Sequence, residues 1–213
     1  MADFHRTSVD NRSFIRGAAR ILIAPAEITR PTQISHVIAL ASASGVALYD
    51  AASGWTDLGA TKTGVQISIN NAEETFDVDQ VYGDISSAPT SWECTVGTQL
   101  AEMTPEKMQI AWEGSAITLD ATPTTGSEQE IGFGSPTSYT QRRLAVLFQR
   151  PNGLVRAYLF HKVQRQPQES SVTHAKTGEQ ISIPIRFRAL QDTSVTNIQK
   201  RFFIVRDQDT GTP

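Results

Sequence analysis

Cysteine is the first thing this chain has little of. Cys94 is its one cysteine among 213 residues, which excludes a disulfide framework and a thiolate metal cluster. Histidine is scarce too. His5, His36, His161 and His174 are widely spaced, with no His-x-x-x-His pair for zinc. No apolar run approaches ~18 residues, so no membrane-spanning helix is expected. The opening Met1-Ala2-Asp3-Phe4-His5-Arg6 lacks the apolar core of a signal peptide, and the expectation is a protein folded in a reducing cytoplasm. A formal net charge of −3 excludes the dominant basic footprint of a general nucleic-acid binder.

The signatures of catalysis are missing as well. There is no P-loop and no Gly-x-Ser-x-Gly elbow. Gly132-Phe133-Gly134 lacks the third glycine and the following helix of a dinucleotide fingerprint. Lys-Thr-Gly occurs twice, at 62–64 and 176–178, without the Ser-x-x-Lys that accompanies it in penicillin-binding enzymes. No enzyme, cofactor or metal site is expected. Cys94 lies in an alternating apolar row and reads as a buried structural thiol. His161 reads as a hydrogen-bonded core or interface residue rather than a ligand.

Charge is present but sorted. From Val65 to Glu130 the chain carries twelve acids and one base, Lys107; from Ile131 to Arg206 it carries twelve bases and three acids. Segregation of this kind bears on partners and surface potential rather than on fold. It suits a protein that meets copies of itself, the two segments being natural partners across a contact, or one that must present one sign of charge along a surface.

Periodicity points to β-structure. Ala18–Ala24 reads as a first strand stopped by Pro25, and His36–Leu40 and Val46–Tyr49 as short strand candidates. Val65, Ile67 and Ile69 alternate with Gln66, Ser68 and Asn70; after an expected turn at Asn70-Asn71, Glu74, Phe76 and Val78 alternate with Glu73, Thr75, Asp77 and Asp79. Trp92, Cys94 and Val96 form a further alternating row. A second hairpin is expected from Arg142–Gln149 and Leu154–Gln164 around Arg150-Pro151-Asn152-Gly153. Ile181–Phe187 alternates again, with Pro184 placing it at an edge or bulge, and Phe202–Val205 closes the domain.

Thr104-Pro105-Glu106 marks the start of the one expected helix, an N-cap followed by proline and an acid, with Gly114 expected to end it. The expected fold is therefore mainly β, a β-sandwich or partly closed barrel with one short α-helix. It comprises an extended arm at 1–17, a single domain at 18–206 and a polar tail at 207–213. An echo of Lys62–Ile69 at Lys176–Ile183, identical at seven of eight positions, reads equally as equivalent turn-into-strand positions or as coincidence.

Trp55-Thr56-Asp57-Leu58-Gly59, the strand Val65–Ile69, Glu73-Glu74 leading to Asp79-Gln80, the strand Ser91–Gln99 and Leu100-Ala101-Glu102-Met103-Thr104-Pro105-Glu106 follow one another in a telling order. Arg143-Leu144-Ala145-Val146, Asn152-Gly153, Phe160-His161-Lys162-Val163 and Ile183–Asp192 continue it. In order and spacing this layout, over residues 55–192, resembles the major tail tube proteins of long-tailed, non-contractile bacteriophages. The resemblance implies a β-sandwich subunit of a virion. Six copies close into a ring and rings stack into a tube, assembled in the host cytoplasm, through which DNA leaves the capsid. It implies self-association as the main partnership, with tape measure, terminator and distal tail proteins as further partners and DNA as a passenger that is not specifically bound.

A wall past which DNA slides should carry few phosphate-gripping cations. Gln66, Ser68, Glu73, Thr75, Asp77 and Asp79 are the candidate lumen row; a solvated acidic outer face accounts for the same row, and a calcium site at Asp77/Asp79 lacks the Gly-centred loop. Arg142, Arg143, Arg186 and Arg188 are candidate inter-subunit charge contacts, with a phosphate clamp at Arg142-Arg143 as a lesser reading. The competing function is a soluble carbohydrate- or peptide-binding β-sandwich with Trp55, Tyr82, Trp92 or Tyr139 as a stacking platform; a hydrolase on a jelly-roll-like frame lacks its acid/base pair.

Overall fold

The computed structural model describes residues 19–28, 54–76, 86–115, 118–119, 129–134, 137–149, 154–167 and 182–208. Within them the protein is mainly β, an open antiparallel sheet of eight strands with one α-helix. The strands in chain order are β1 (Arg20–Pro25), β2 (Thr56–Asp57), β3 (Thr61–Phe76), β4 (Ser86–Leu100), β5 (Thr118–Leu119), β6 (Gln129–Glu130), β7 (Gln141–Gln149), β8 (Val155–Arg165), β9 (Ile183–Ala189) and β10 (Phe203–Asp207). The main sheet runs β2-β1-β7-β8-β9-β4-β3, and β10 joins it beside β8; β5 and β6 form a separate two-stranded ribbon.

A bulge in β8 shapes the sheet. Arg142 pairs with Val163 and Leu144 with Phe160, so His161 and Lys162 together oppose the single residue Arg143. Before the bulge β8 pairs with β10, Phe160 opposite Phe203; after it β8 pairs with β9, Val163 opposite Ala189. The strand thus hands its free side from one neighbour to another, and the two branches enclose the larger core. The bulge is tied down by its own backbone, the His161 N–H donating to Phe202 O and the His161 carbonyl accepting from Arg143 Nη1.

Two apolar clusters lie on opposite faces of β1, β7 and β8. Ile21, Ile23, Leu144, Val146, Phe160 and Val163 pack with Cys94, Val96, Leu100, Ile183, Ile185, Phe187 and the helix residue Ala111. Leu22, Ala24, Ala145, Leu147, Ala157 and Leu159 pack with Trp55 on the other face. Strands covered on both faces need no polar alternation, which is why Arg20–Pro25 and Gln141–Gln149 carry unbroken apolar stretches. Each large side chain withdrawn from water here, such as Phe160 or Ile21, contributes about 1.5–3 kcal/mol. The alternation read at Cys94 and Val96 holds, both being buried; burial also pushes the Cys94 thiol up to about 11.

The helix α1 spans Pro105–Trp112 and turns Ala111 into the larger core, with Met108, Ile110 and Trp112 packed beside it. Thr104 is extended at the cap position and Pro105 opens the first turn. The Glu106 carboxyl is held below its usual range by its own backbone N–H and then by the Thr104 hydroxyl. Gly114 was expected to end the helix, but Glu113 does so in the left-handed conformation (φ 55°, ψ 46°). Gly114 is needed one position later for room: a Cβ there would sit 2.8 Å from Ile131 Cδ1 and Phe133 Cε1.

Two more expectations change, and that for Pro184 is met only locally. No turn occurs at Asn70-Asn71, because β3 runs unbroken to Phe76 and pairs with β4 along most of its length. Pro184 lies in an interior strand, yet β8 reaches only Phe187–Ala189 of β9. At Pro184, paired with Gln99 of β4, the strand has a local edge that tolerates a missing N–H. The polar tail begins later than position 207, since Asp207 belongs to β10 and Gln208 exchanges hydrogen bonds with Val155. The expected arm at 1–17, the strands His36–Leu40 and Val46–Tyr49, the reversal Arg150–Gly153, Ile181 and the echo at 176–178 lie outside the described residues.

Candidate assembly surface

Strands β3 and β4, 16 and 15 residues long, outrun the core they start from. Val65 and Ile67 are half-buried against it, but every described side chain from Ile69 to Thr75 is exposed, and the opposing Ser86–Ser91 are exposed apart from half-buried Ala88. A two-stranded ribbon with both faces in water has little to hold it in isolation. At ~3.4 Å per residue the exposed part extends roughly 25 Å. β3 is also the last strand of the sheet, so its outer backbone edge has no neighbouring strand among the described residues.

The unbroken course of β3 rearranges the candidate lumen row. With side chains alternating along one strand, Gln66 and Ser68 fall on the face away from Val65 and Ile67, whereas Glu73 and Thr75 share the parity of those two residues. The extra residue of the bulge near Ala72 is Thr90 of β4, so β3 keeps its alternation through it. The expected single row was the product of an assumed turn. Asp77 and Asp79 lie outside the described residues.

Register brings a different set together. Ser68 opposes Thr95 and Thr95 opposes Arg188; Gln66 opposes Gly97 and Gly97 opposes Arg186; Gln164 then flanks Arg188. The face holding Gln66 and Ser68 is therefore the face holding Arg186 and Arg188, two groups expected to serve different surfaces. Arg188 pairs with Glu93 at 3.4 Å, both partly solvated, while Arg186 lies over Gly97, where a Cβ would approach its Nε to 3.8 Å. Beside it a bulge at Gly64 (φ 74°), fastened by Thr98 Oγ1 donating to Gly64 O at 2.7 Å, opens a notch of about 310 Å³.

Arg142 and Arg143 are both engaged within the chain. Arg142 donates to both oxygens of Glu113 at 2.5 and 3.5 Å, with side chains only 14% and 5% exposed. Arg143 donates to the carbonyls of Ala26 and His161. Glu113 and Glu93 come from the acidic segment and Arg142 and Arg188 from the basic one, so part of the sorted charge is matched inside the chain. Arg20–Asp57 at 2.6 Å and Arg156–Asp207 at 2.5 Å add two more pairs.

Trp55-Thr56-Asp57-Leu58-Gly59 and Leu100–Glu106, far apart in sequence, meet at one corner. Gly59 N donates to Asp57 Oδ1 and Ala60 N to Glu102 Oε1, while Lys107 Nζ donates to the Asp57 carbonyl. Gly59 takes φ 81°, and a Cβ on it would lie 2.3 Å from Glu102 Oε2. The stacking platform does not form around Trp55, which is 5% exposed within the second core. Trp92 is half-buried against Phe202 at 4.1 Å and Phe203 at 6.1 Å. Tyr139 is half-buried, and Tyr82 lies outside the described residues.

A second free edge was not foreseen. β10 pairs with β8 on one side and has no strand on the other among the described residues. A groove of about 360 Å³ is lined by Lys200, Phe203, Ile204, Val205 and Arg206 and by no residue of β8, as fits the side of β10 away from β8. Among the described residues no cluster of three metal-ligating side chains occurs, and no helix is long and apolar enough to cross a membrane. No protein-family model matches the chain, and no curated protein matches it.

Proposed function

We propose that this protein is a structural subunit of a bacteriophage tail tube, closing into rings that stack into a conduit for DNA. The observation that carries this reading is the β3–β4 hairpin, which leaves the core, exposes both faces and has an edge with no neighbouring strand among the described residues. Natural monomers shorten, charge or cover such edges; a subunit whose neighbour completes the sheet can keep one long. Among the described residues two edges at different places on one sheet, on β3 and β10, lack a neighbouring strand; together they could supply a heterologous contact, and repetition of such a contact generates rings or filaments. The resemblance to major tail tube proteins over residues 55–192 supports the same reading.

Passage of DNA requires a bore with few free cations. The Gln66–Ser68 face carries Arg186 and Arg188, and we assign it to contacts between subunits rather than to the bore. The purified chain at high concentration should form tubes or rings in negative-stain microscopy, and those assemblies should not retard duplex DNA at moderate salt. A monodisperse monomer at every concentration, or tubes that hold DNA tightly, would overturn the proposal.

A further inference from the structure

We infer that the groove beside β10 receives the exposed part of β3 from a second copy, the two strands joining into one sheet across the contact. The inference rests on the self-assembly proposed above and names the surfaces that would do it. Both backbones have an open side among the described residues, and the β10 groove fits the open side of its strand, where an incoming strand would place its hydrogen-bonding groups.

Charge selects the occupant. The β10 rim carries Lys200 and Arg206, neither with an ion-pair partner among the described residues. The Arg206 Nε is buried there without a hydrogen-bond acceptor among them, and a buried donor of this kind is costly until it is matched. The exposed part of β3 carries Glu73 and Glu74. As adjacent strand residues they point to opposite faces, so one carboxylate reaches the Arg206 side whichever face turns inward. Five residues of β10 match a stretch such as Asn71–Thr75. The same chain's β3 is committed to β4 along this length, and only its outer edge remains to be shared.

Charge reversal and cross-linking test this on the full-length protein. Glu73→Lys with Glu74→Lys, or Lys200→Glu, should each weaken self-association about tenfold or more, and the combination should recover most of it, with unchanged melting temperatures showing that the fold is intact. Arg206→Glu serves as a further reversal. Val205→Cys protein oxidised together with Glu73→Cys or with Glu74→Cys protein, each retaining buried Cys94, should form a mixed disulfide dimer with one of the two, the one whose side chain shares the Val205 face. Assemblies that persist through the reversals and give no mixed disulfide would overturn the inference while leaving the tube proposal standing. A wild-type chain that never associates in sedimentation would overturn both.

Discussion

At the residue scale, a few positions are held by contacts that no neighbour in sequence announces. Gly59 combines a left-handed backbone with a Cβ position occupied by Glu102, whereas Gly64 has the same kind of backbone and open space around it. Gly59→Ala should therefore lower stability by more than the ~1–3 kcal/mol of backbone strain that Gly64→Ala alone would bring, a difference readable in urea midpoints. Glu113 and Arg142 form a pair largely withdrawn from water. Glu113→Ala strands a buried cation and should cost about 3–5 kcal/mol, while Glu113→Gln with Arg142→Met should cost less than the single change. Asp192 is buried, which opposes its charge. The Ser194 hydroxyl and N–H, with Lys162 and Arg143 beyond, outweigh that and hold its carboxyl below the usual value. A lowered folded-state pKa gives stability that is present above the ordinary aspartate value of ~3.9 and lost as pH falls through the folded value. Asp192→Asn should flatten that acid limb in a series of urea melts.

At the element scale, the hairpin of β3 and β4 has two parts with different duties. Its root, where Ile67 opposes Val96 and Val65 opposes Thr98, belongs to the core. Its outer part buries almost nothing: Ile69 is 52% exposed although it opposes fully buried Cys94. Replacing residues 71–91 with a short Asn-Gly turn should leave the melting temperature within a few degrees, because among the described residues no core side chain except the half-buried Trp92 borders the cut. The same truncation should abolish assembly in sedimentation and microscopy. The helix α1 behaves in the opposite way. It is short, and below roughly 12–15 residues a helix in water is marginal alone. It stands because Ala111 is buried and Glu113 is anchored to β7 through Arg142.

At the scale of the whole molecule, the sorted charges divide between internal matching and external supply. Glu93–Arg188 and Glu113–Arg142 join the acidic and basic segments within one chain. Glu73 and Glu74 on the hairpin, and Lys200 and Arg206 beside β10, have no ion-pair partner among the described residues, and in the proposed assembly they are the charges left for contacts between copies. Contacts of that sort weaken as salt shortens the Debye length, from ~10 Å at 0.1 M to ~3 Å at 1 M. Self-association measured by sedimentation should accordingly fall as sodium chloride is raised across this range, with no accompanying change in circular dichroism.

Local pattern determined much of this protein. The β class, the alternation at Cys94 and Val96, the start of α1 at Thr104-Pro105 and the β7–β8 hairpin were all legible, because period-two burial and helix-start chemistry act within a few residues. The turn at Asn70-Asn71 was misread for the same reason: Asn-Asn favours a reversal locally, but pairing with β4 along almost the whole of β3 outweighs it. Everything that depends on register was decided only by the tertiary structure. The sharing of one face by Gln66, Ser68, Arg186 and Arg188, the inward pairing of Arg142, and the change of partner at the His161-Lys162 bulge each join residues separated by long stretches of chain. One-residue differences in pairing reverse which face a side chain occupies, and that choice is made by the assembled core rather than by the strand itself.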